Sequence, residues 1–226
     1  MRRYPFRVPK LGAIALSLVV LVATGCGGSS GSTSPAPSVT STTQAAAASE
    51  RPVCPAGWRA SWVKLASDIK APVYCPSWLP DPLQGKIGGG GSARYVEPDR
   101  SYLIAFYWLE TTATSNEEVH VNLRGYPGRA SIPVCEDTVV ASGKITHPKM
   151  PCFDDARGTK RFGTVRATVY TANQGADQWH VLYAWHRGGS LYTLSEHVAP
   201  PYSYSQVIAN LDRMMRGLVL VRPRAS

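Results

Sequence analysis

Two of the five histidines in this 226-residue chain, His180 and His197, lie at equal distances on either side of a Gly188-Gly189 dipeptide. Neutral imidazoles ligate zinc or copper, and a two-residue hairpin would bring this pair together across two strands, with Cβ atoms about 5 Å apart. Two ligands leave a tetrahedral site half built, and Ser195, diagonal to the pair, is a poor third. A solvated pair, or one lining a ligand groove, is therefore the expectation. Carboxylates offer a second constellation. Glu136-Asp137 follows Cys135 and Asp154-Asp155 follows Cys152. A bridge between those cysteines would draw four acidic side chains together as oxygen ligands for calcium. Such a site needs six or more converging oxygens and no EF-hand spacing is present, so exposed acidic turns are expected instead.

Nucleophilic catalysis has less support. Ser67-Asp68-Ile69-Lys70 matches the Ser-x-x-Lys of penicillin-binding enzymes, where the Lys activates the Ser, but neither Lys-Thr-Gly nor Ser-Asp-Asn occurs. Lys70 reads more simply as a solvated charge at a helix end. Gly88-Gly89-Gly90-Gly91-Ser92 lacks the Lys of a phosphate loop and reads as a connection. Ser195-Glu196-His197 are consecutive, and neighbours on a strand point to opposite faces, so they form no triad with each other. No catalytic residue and no cofactor is expected.

The compartment follows from the first 26 residues. Arg2, Arg3, Arg7 and Lys10 precede an apolar run, Leu11 to Ala23, that closes in Thr24-Gly25-Cys26. A basic, apolar, small-residue series is an export signal, and a 13-residue run is short of the roughly 17 to 25 that span a bilayer. Ala23-Thr24-Gly25-Cys26 resembles the lipobox of bacterial lipoprotein signals. The resemblance implies that Cys26 becomes the lipid-modified first residue of the mature protein, held at the outer face of the cell membrane. Residues 26–50 then read as the lipidated Cys and a Ser/Thr/Ala-rich tether. Its 23 residues after Cys26, 27–49, carry no charge and a lone Val39, and such a chain spans about 25 to 30 Å.

Residues 51–226 number 176, a length that suits one domain with one core. Without the signal, Lys and Arg fall from 24 to 20 against 15 acidic residues, a charge near +5. Export argues against nucleic acid as a partner and leaves the membrane, an anionic envelope component or another protein. Cys54, Cys75, Cys135 and Cys152 are an even number in an oxidising compartment, which predicts two disulfides. Three connectivities exist. Short loops and chain order favour Cys54 with Cys75 and Cys135 with Cys152, each worth about 3 kcal/mol by loop entropy. No Cys-x-x-Cys spacing supports zinc.

The elements that must position these groups form an α+β pattern. Trp58, Trp62, Leu65 and Ile69 recur at helical intervals before Pro72. Ser101 to Glu110, Glu118 to Leu123, Val139 to Ile145, Thr164 to Thr171, Gln178 to Arg187 and Ser190 to Val198 read as strands. A two-residue turn at Gly188-Gly189 sets Arg187 opposite Ser190. It thereby places Trp185 with Tyr192, Tyr183 with Leu194 and Val181 with Glu196 on one face. That face should be covered; the other face, carrying His180 and His197, is the more polar. A closing helix from Tyr204 to about Gly217, begun by a Ser203/Gln206 capping box, supplies Val207, Ile208, Leu211, Met214, Met215 and Leu218 as its cover. Asn210, Asp212, Arg213 and Arg216 should meet water. The expected class is thus a mostly antiparallel twisted sheet packed by a C-terminal amphipathic helix, with a short N-terminal helix.

Pro72-Val73-Tyr74-Cys75-Pro76-Ser77-Trp78-Leu79-Pro80, a later Trp-rich strand, the strand Leu191-Tyr192-Thr193-Leu194 and the closing helix are together similar to small extracytoplasmic α+β domains of Gram-positive lipoproteins and anti-sigma regulators. The resemblance spans residues 70–220 and implies a sensing or binding role. The expected function is a membrane-anchored, non-catalytic binding or interaction module of the cell envelope. An envelope hydrolase or transferase and a membrane-tethered sensor are the alternatives. Cys26→Ala should move the protein out of the membrane fraction and remove palmitate labelling, because a thioether-linked lipid is the anchor the sequence offers. Unchanged labelling would reject the lipobox reading.

Overall fold

A computed structural model describes residues 51–83, 91–112, 116–136, 138–172 and 179–224. Cys26, the tether, Gly88 to Gly90, Asp137 and Gln178 lie outside the described residues. Helix α1, Ala56–Asp68, starts after Pro55 and buries Trp58, Trp62, Leu65 and Ala66 on one stripe. Trp58 and Trp62 stack at 5.4 Å between centroids and Trp58 stacks on Phe106 at 5.7 Å, so the helix docks through offset aromatic faces. The Trp62 indole donates to the Tyr74 carbonyl at 2.7 Å. The helix gives way at Lys70, whose φ is 52°.

Strand β1, Val73–Pro76, follows. Next come β2, Gly91–Val96; β3, Tyr102–Thr111; and β4, Asn116–Tyr126. Four three-residue strands interrupt the sheet sequence: β5, Val134–Glu136; β6, Val139–Ala141; β7, Lys144–Thr146; and β8, Lys149–Pro151. Then come β9, Asp155–Phe162; β10, Val165–Ala172; β11, His180–Arg187; and β12, Ser190–His197. Helix α2, Tyr204–Arg216, and β13, Leu218–Val221, close the described chain. Seven strands form one antiparallel sheet in the order β2-β3-β4-β12-β11-β10-β9, while β1 pairs with β13. The sulfurs of Cys54 and Cys75, and those of Cys135 and Cys152, are at disulfide distance, 2.04 and 2.00 Å. The first pair ties the segment before α1 to β1, and the second joins β5 to the residue after β8.

The β11–β12 register is the one set by the turn: Arg187 faces Ser190, and the pairs continue to His180 opposite His197. Gly188 and Gly189 take φ of 57° and 73°, the left-handed pair that a type I′ turn requires and that side-chain-bearing residues resist. Trp185, Tyr183, Tyr192 and Leu194 lie in one buried cluster with Val207, Leu211, Met214 and Met215.

Two expectations need correction, and the cover of the hairpin adds a finding. Val139 to Ile145 is not one strand but the β6–β7 hairpin, because Ser142 and Gly143 adopt left-handed φ of 50° and 75° and reverse the chain. The more polar face of the β11–β12 hairpin is covered as well: Leu182, Ala184 and Leu191 form a second buried cluster with Phe153 and Ala172. The segment carrying the Cys135–Cys152 pair contributes Ile132 and Cys152 to that cover. Asn210 and Asp212 do not simply meet water. Asn210 Nδ2 donates to Glu196 Oε1 at 2.8 Å, and Asp212 accepts from the Tyr183 hydroxyl at 2.8 Å and from Lys160 Nζ at 2.8 Å. The apolar stripe of α2 is flanked by side chains that reach polar groups on the sheet.

Gly125 tests the tightness of this arrangement. It pairs with both Tyr102 and Tyr192, and a Cβ there would overlap the buried Tyr102 ring, 2.7 Å from Cζ. Gly125→Ala should lower stability by about 1 to 3 kcal/mol, the usual cost of overpacking. A urea midpoint equal to that of the parent would show that Tyr102 can move aside.

Candidate functional site

The sheet order places β4, β12 and β11 side by side, and this assembles more than the histidine pair. His180 and His197 stack with centroids 5.1 Å apart and planes 9° apart. His120, from β4, meets His180 edge to face at 5.1 Å and 79°. Glu118, two residues before His120 and so on the same face of β4, puts Oε1 3.2 Å from Nδ1 of His197 and 3.5 Å from Nδ1 of His120. His180 is buried, whereas His197, His120 and Glu118 keep 20%, 23% and 31% of their side-chain surface exposed. The row thus runs from the interior to the surface, with one carboxylate serving two imidazoles. A carboxylate facing Nδ1 fixes the orientation of the ring.

His120 and Glu118 were not singled out by the sequence. The alternation of Glu118, His120 and Asn122 with Val119, Val121 and Leu123 marks them as one face of a strand. Which strand lies next to β4 is a contact across some seventy residues, and no local signal encodes it.

The metal readings do not gain a site. Among the described residues, no group of three or more His, Cys, Asp and Glu is placed to hold a metal ion. The near-parallel faces of His180 and His197 make a stacking contact, whereas ligands to one ion aim in-plane lone pairs at a common point. The acidic cluster disperses. Glu136 is exposed and faces His147 at 3.8 Å, and Asp154 is exposed. Asp155 accepts from Thr171 Oγ1 at 2.8 Å and pairs with Arg157, and Asp137 lies outside the described residues. The cysteine link brings the backbones near, but each described carboxylate turns to its own partner or to water.

The other motifs also resolve. Ser67 Oγ accepts from the Arg224 amide at 3.2 Å. Lys70 lies beyond the end of α1 in the left-handed region. Ser195, on the face of His197, is fully buried.

Beside the histidine row lies a cavity of about 220 Å³ lined by Thr171, Trp179, His180, Val181, Val198 and Tyr204. Trp179 is 66% exposed and Tyr204 50%. Trp179 stands at φ 63°, a strained setting for a bulky side chain. The Val198 amide donates to its carbonyl at 2.9 Å, so the sheet ladder holds the strained backbone in place. No protein family, curated protein or solved structure matches this chain.

On the opposite face of β12, Glu196 is fully buried in the core. Asn210 satisfies Oε1, and Oε2 has no hydrogen-bond partner among the described residues. Burial pushes its acid up to about 8 from the ordinary 4.5, and the Asn210 hydrogen bond offsets only part of this. Between those two pH values the folded chain keeps a proton that the unfolded chain releases. The stabilisation is therefore complete below pH 4.5 and is lost as pH rises towards 8, with a limiting slope of about 1.4 kcal/mol per pH unit. Glu196→Gln keeps an oxygen for Asn210 and cannot ionise. It should flatten the decline in melting temperature between pH 5 and 8 and melt above the parent at pH 9. An unchanged slope in the variant would assign the pH dependence elsewhere.

Proposed function

We propose that the chain is a lipid-anchored, extracytoplasmic binding or interaction module of the bacterial cell envelope, without a catalytic role. In this reading Cys26 carries the lipid, residues 27–50 form the tether, and the α+β domain from residue 51, with its C-terminal helix as the layer closing the sheet, presents the contact surface. One observation carries the proposal: the cavity beside the histidine row, which an exposed Trp179 and a half-exposed Tyr204 line together with His180. Exposed indole and phenol rings give up apolar surface that burial would reward, and both types are enriched where proteins meet ligands and partners. A Trp at positive φ adds a backbone cost, which persists where the surrounding structure enforces it, commonly at functional positions. The histidine row beside the rings adds polar groups able to fix a ligand's orientation.

The test is sedimentation with purified cell-wall polymer and with anionic lipid vesicles, using full-length protein and Trp179→Ala. Saturable binding that weakens tenfold or more in the variant, with an unchanged melting temperature, is expected. Turnover of a wall substrate that disappears in His197→Ala would establish the envelope hydrolase instead. Absence of binding to both materials, with capture of one stoichiometric membrane protein, would favour the tethered sensor.

A further inference from the structure

At the end of the sheet away from the histidine row, four positive charges stand unanswered. Arg161 and Arg166 are directly opposite each other where β9 pairs with β10, and both are exposed. Like charges set opposite on neighbouring strands repel and cost stability. The turn between them, Phe162 to Val165, lines a cleft that Arg187, at the end of β11, and Arg216, in the last turn of α2, also line. Both of these are exposed as well. Among the described residues, none of the four guanidinium groups has a carboxylate within ion-pair distance. The nearby acids are committed to other cations: Asp212, one turn before Arg216, to Lys160, and Asp155 to Arg157. Arg166 donates to the Thr159 hydroxyl at 3.4 Å, a bond that leaves its charge uncompensated.

Protection of an open edge explains only part of this. Positive side chains on an edge strand block pairing with other chains, and β9 is an edge of the seven-stranded sheet. That reason covers Arg161. Arg166 is on the inner strand β10, Arg187 on β11 and Arg216 on a helix, so their charges guard no edge. The four are spread over strand ends and a helix end, which suits a surface of repeated anions better than a single ion. The start of the domain says which surface. The Cα atom of Cys54 is 5.6 Å from that of Cys75, and Cys75 follows Tyr74, which lines the same cleft. Arg51 is exposed and stands three residues earlier, at most about 11 Å of chain away. The segment leading back to Cys26 therefore joins the domain beside the cleft, so a lipid on Cys26 holds this end close to the bilayer.

We propose that Arg161, Arg166, Arg187 and Arg216 form a docking face for an anionic phospholipid surface and turn this end of the sheet toward the bilayer that anchors the chain. The proposal rests on the lipid anchor at Cys26. Guanidinium groups meet phosphate oxygens through paired N–H donors, and the attraction of basic residues to an anionic leaflet acts within a Debye length, about 8 Å at physiological salt. The cavity at Trp179 and His180 lies at the other end of β11, about 23 Å along the strand from Arg187. Docking through the arginines thus leaves that cavity directed away from the bilayer.

The experiment places the lipidated full chain in vesicles of phosphatidylcholine, with or without phosphatidylglycerol, each carrying a quencher confined to the bilayer. A fluorophore is attached through Thr164→Cys, in the exposed turn between the two opposed arginines, or through Leu109→Cys, exposed on β3 toward the other end of the sheet. Flotation with both kinds of vesicle is expected from the anchor. At about 0.1 M salt the Thr164 probe should be quenched about threefold more on anionic than on neutral vesicles, and about 0.5 M salt should remove the difference. The Leu109 probe should be quenched equally on both. Arg161→Gln, Arg166→Gln, Arg187→Gln and Arg216→Gln combined should abolish the difference without lowering the melting temperature, and Trp179→Ala should leave it intact. Failure to float with neutral vesicles would remove the anchor and the proposal with it. Flotation with equal quenching at Thr164 on both vesicles, or a difference that survives the four changes, would overturn the docking face and leave the anchor standing. Wall-polymer binding lost in the four-arginine variant, with no anionic quenching at Thr164, would assign the face to the polymer instead.

Discussion

Gly188 and Gly189 turn the chain within two residues at φ of 57° and 73°, and that turn locks eight residue pairs between β11 and β12. Because strand side chains alternate, the turn assigns every residue of the hairpin to one of two faces, and a one-residue slip would exchange them all. Both faces are heavily committed. Trp185, Tyr183, Tyr192 and Leu194 belong to the large core, while Leu182, Ala184 and Leu191 belong to the smaller one under Phe153. A hairpin buried on two sides cannot shift register without exposing aromatic surface on one side and burying polar groups on the other. Strand β4 pairs with β12 and β10 with β11, so the rest of the sheet takes its alignment from this hairpin.

The polar residues caught in this frame are handled differently at different depths. Asp212 is served twice, by the Tyr183 hydroxyl and by Lys160, and its carboxylate charge is paired. Glu196, deeper and with a single amide partner, meets burial by holding its proton instead. The same helix provides both solutions two residues apart, and this is why polar positions flanking the apolar stripe of α2 matter to a core that looks hydrophobic in outline. The histidine row solves a third version of the problem. His180 stacks on His197 and meets His120 edge to face, and Glu118 faces Nδ1 of both His197 and His120.

Strand β11 links two environments of opposite character. At its start, His180 lines a cavity together with the exposed rings of Trp179 and Tyr204. Near its end, Trp185 lines a cleft together with Arg187, Arg216, Met215, Leu218 and Leu220. Both concavities take part of their lining from the central hairpin. The binding role proposed above rests on such preformed concavities, because a preformed concavity loses less conformational freedom when a ligand arrives.

Short-range features were legible in the residues alone. The helix carrying Trp58 and Trp62, the Ser203/Gln206 capping box and the register running from Arg187 opposite Ser190 to His180 opposite His197 all follow from spacing within some twenty residues. The cysteine pairs at disulfide distance also join near neighbours in the chain, Cys54 with Cys75 and Cys135 with Cys152. What the tertiary structure alone decided was adjacency across long stretches of chain. It set β4 beside β12 and so added His120 and Glu118 to the histidine pair. It brought β1 and β13 against the end of β11 and so enclosed Tyr74 and Trp185 with Arg187 and Arg216. It also laid the segment around Phe153 over a face whose polar residues suggested water. Local periodicity records which side of an element is apolar. It carries no record of which element will cover that side, because that choice is made by the packing of surfaces brought together only when the whole sheet has formed.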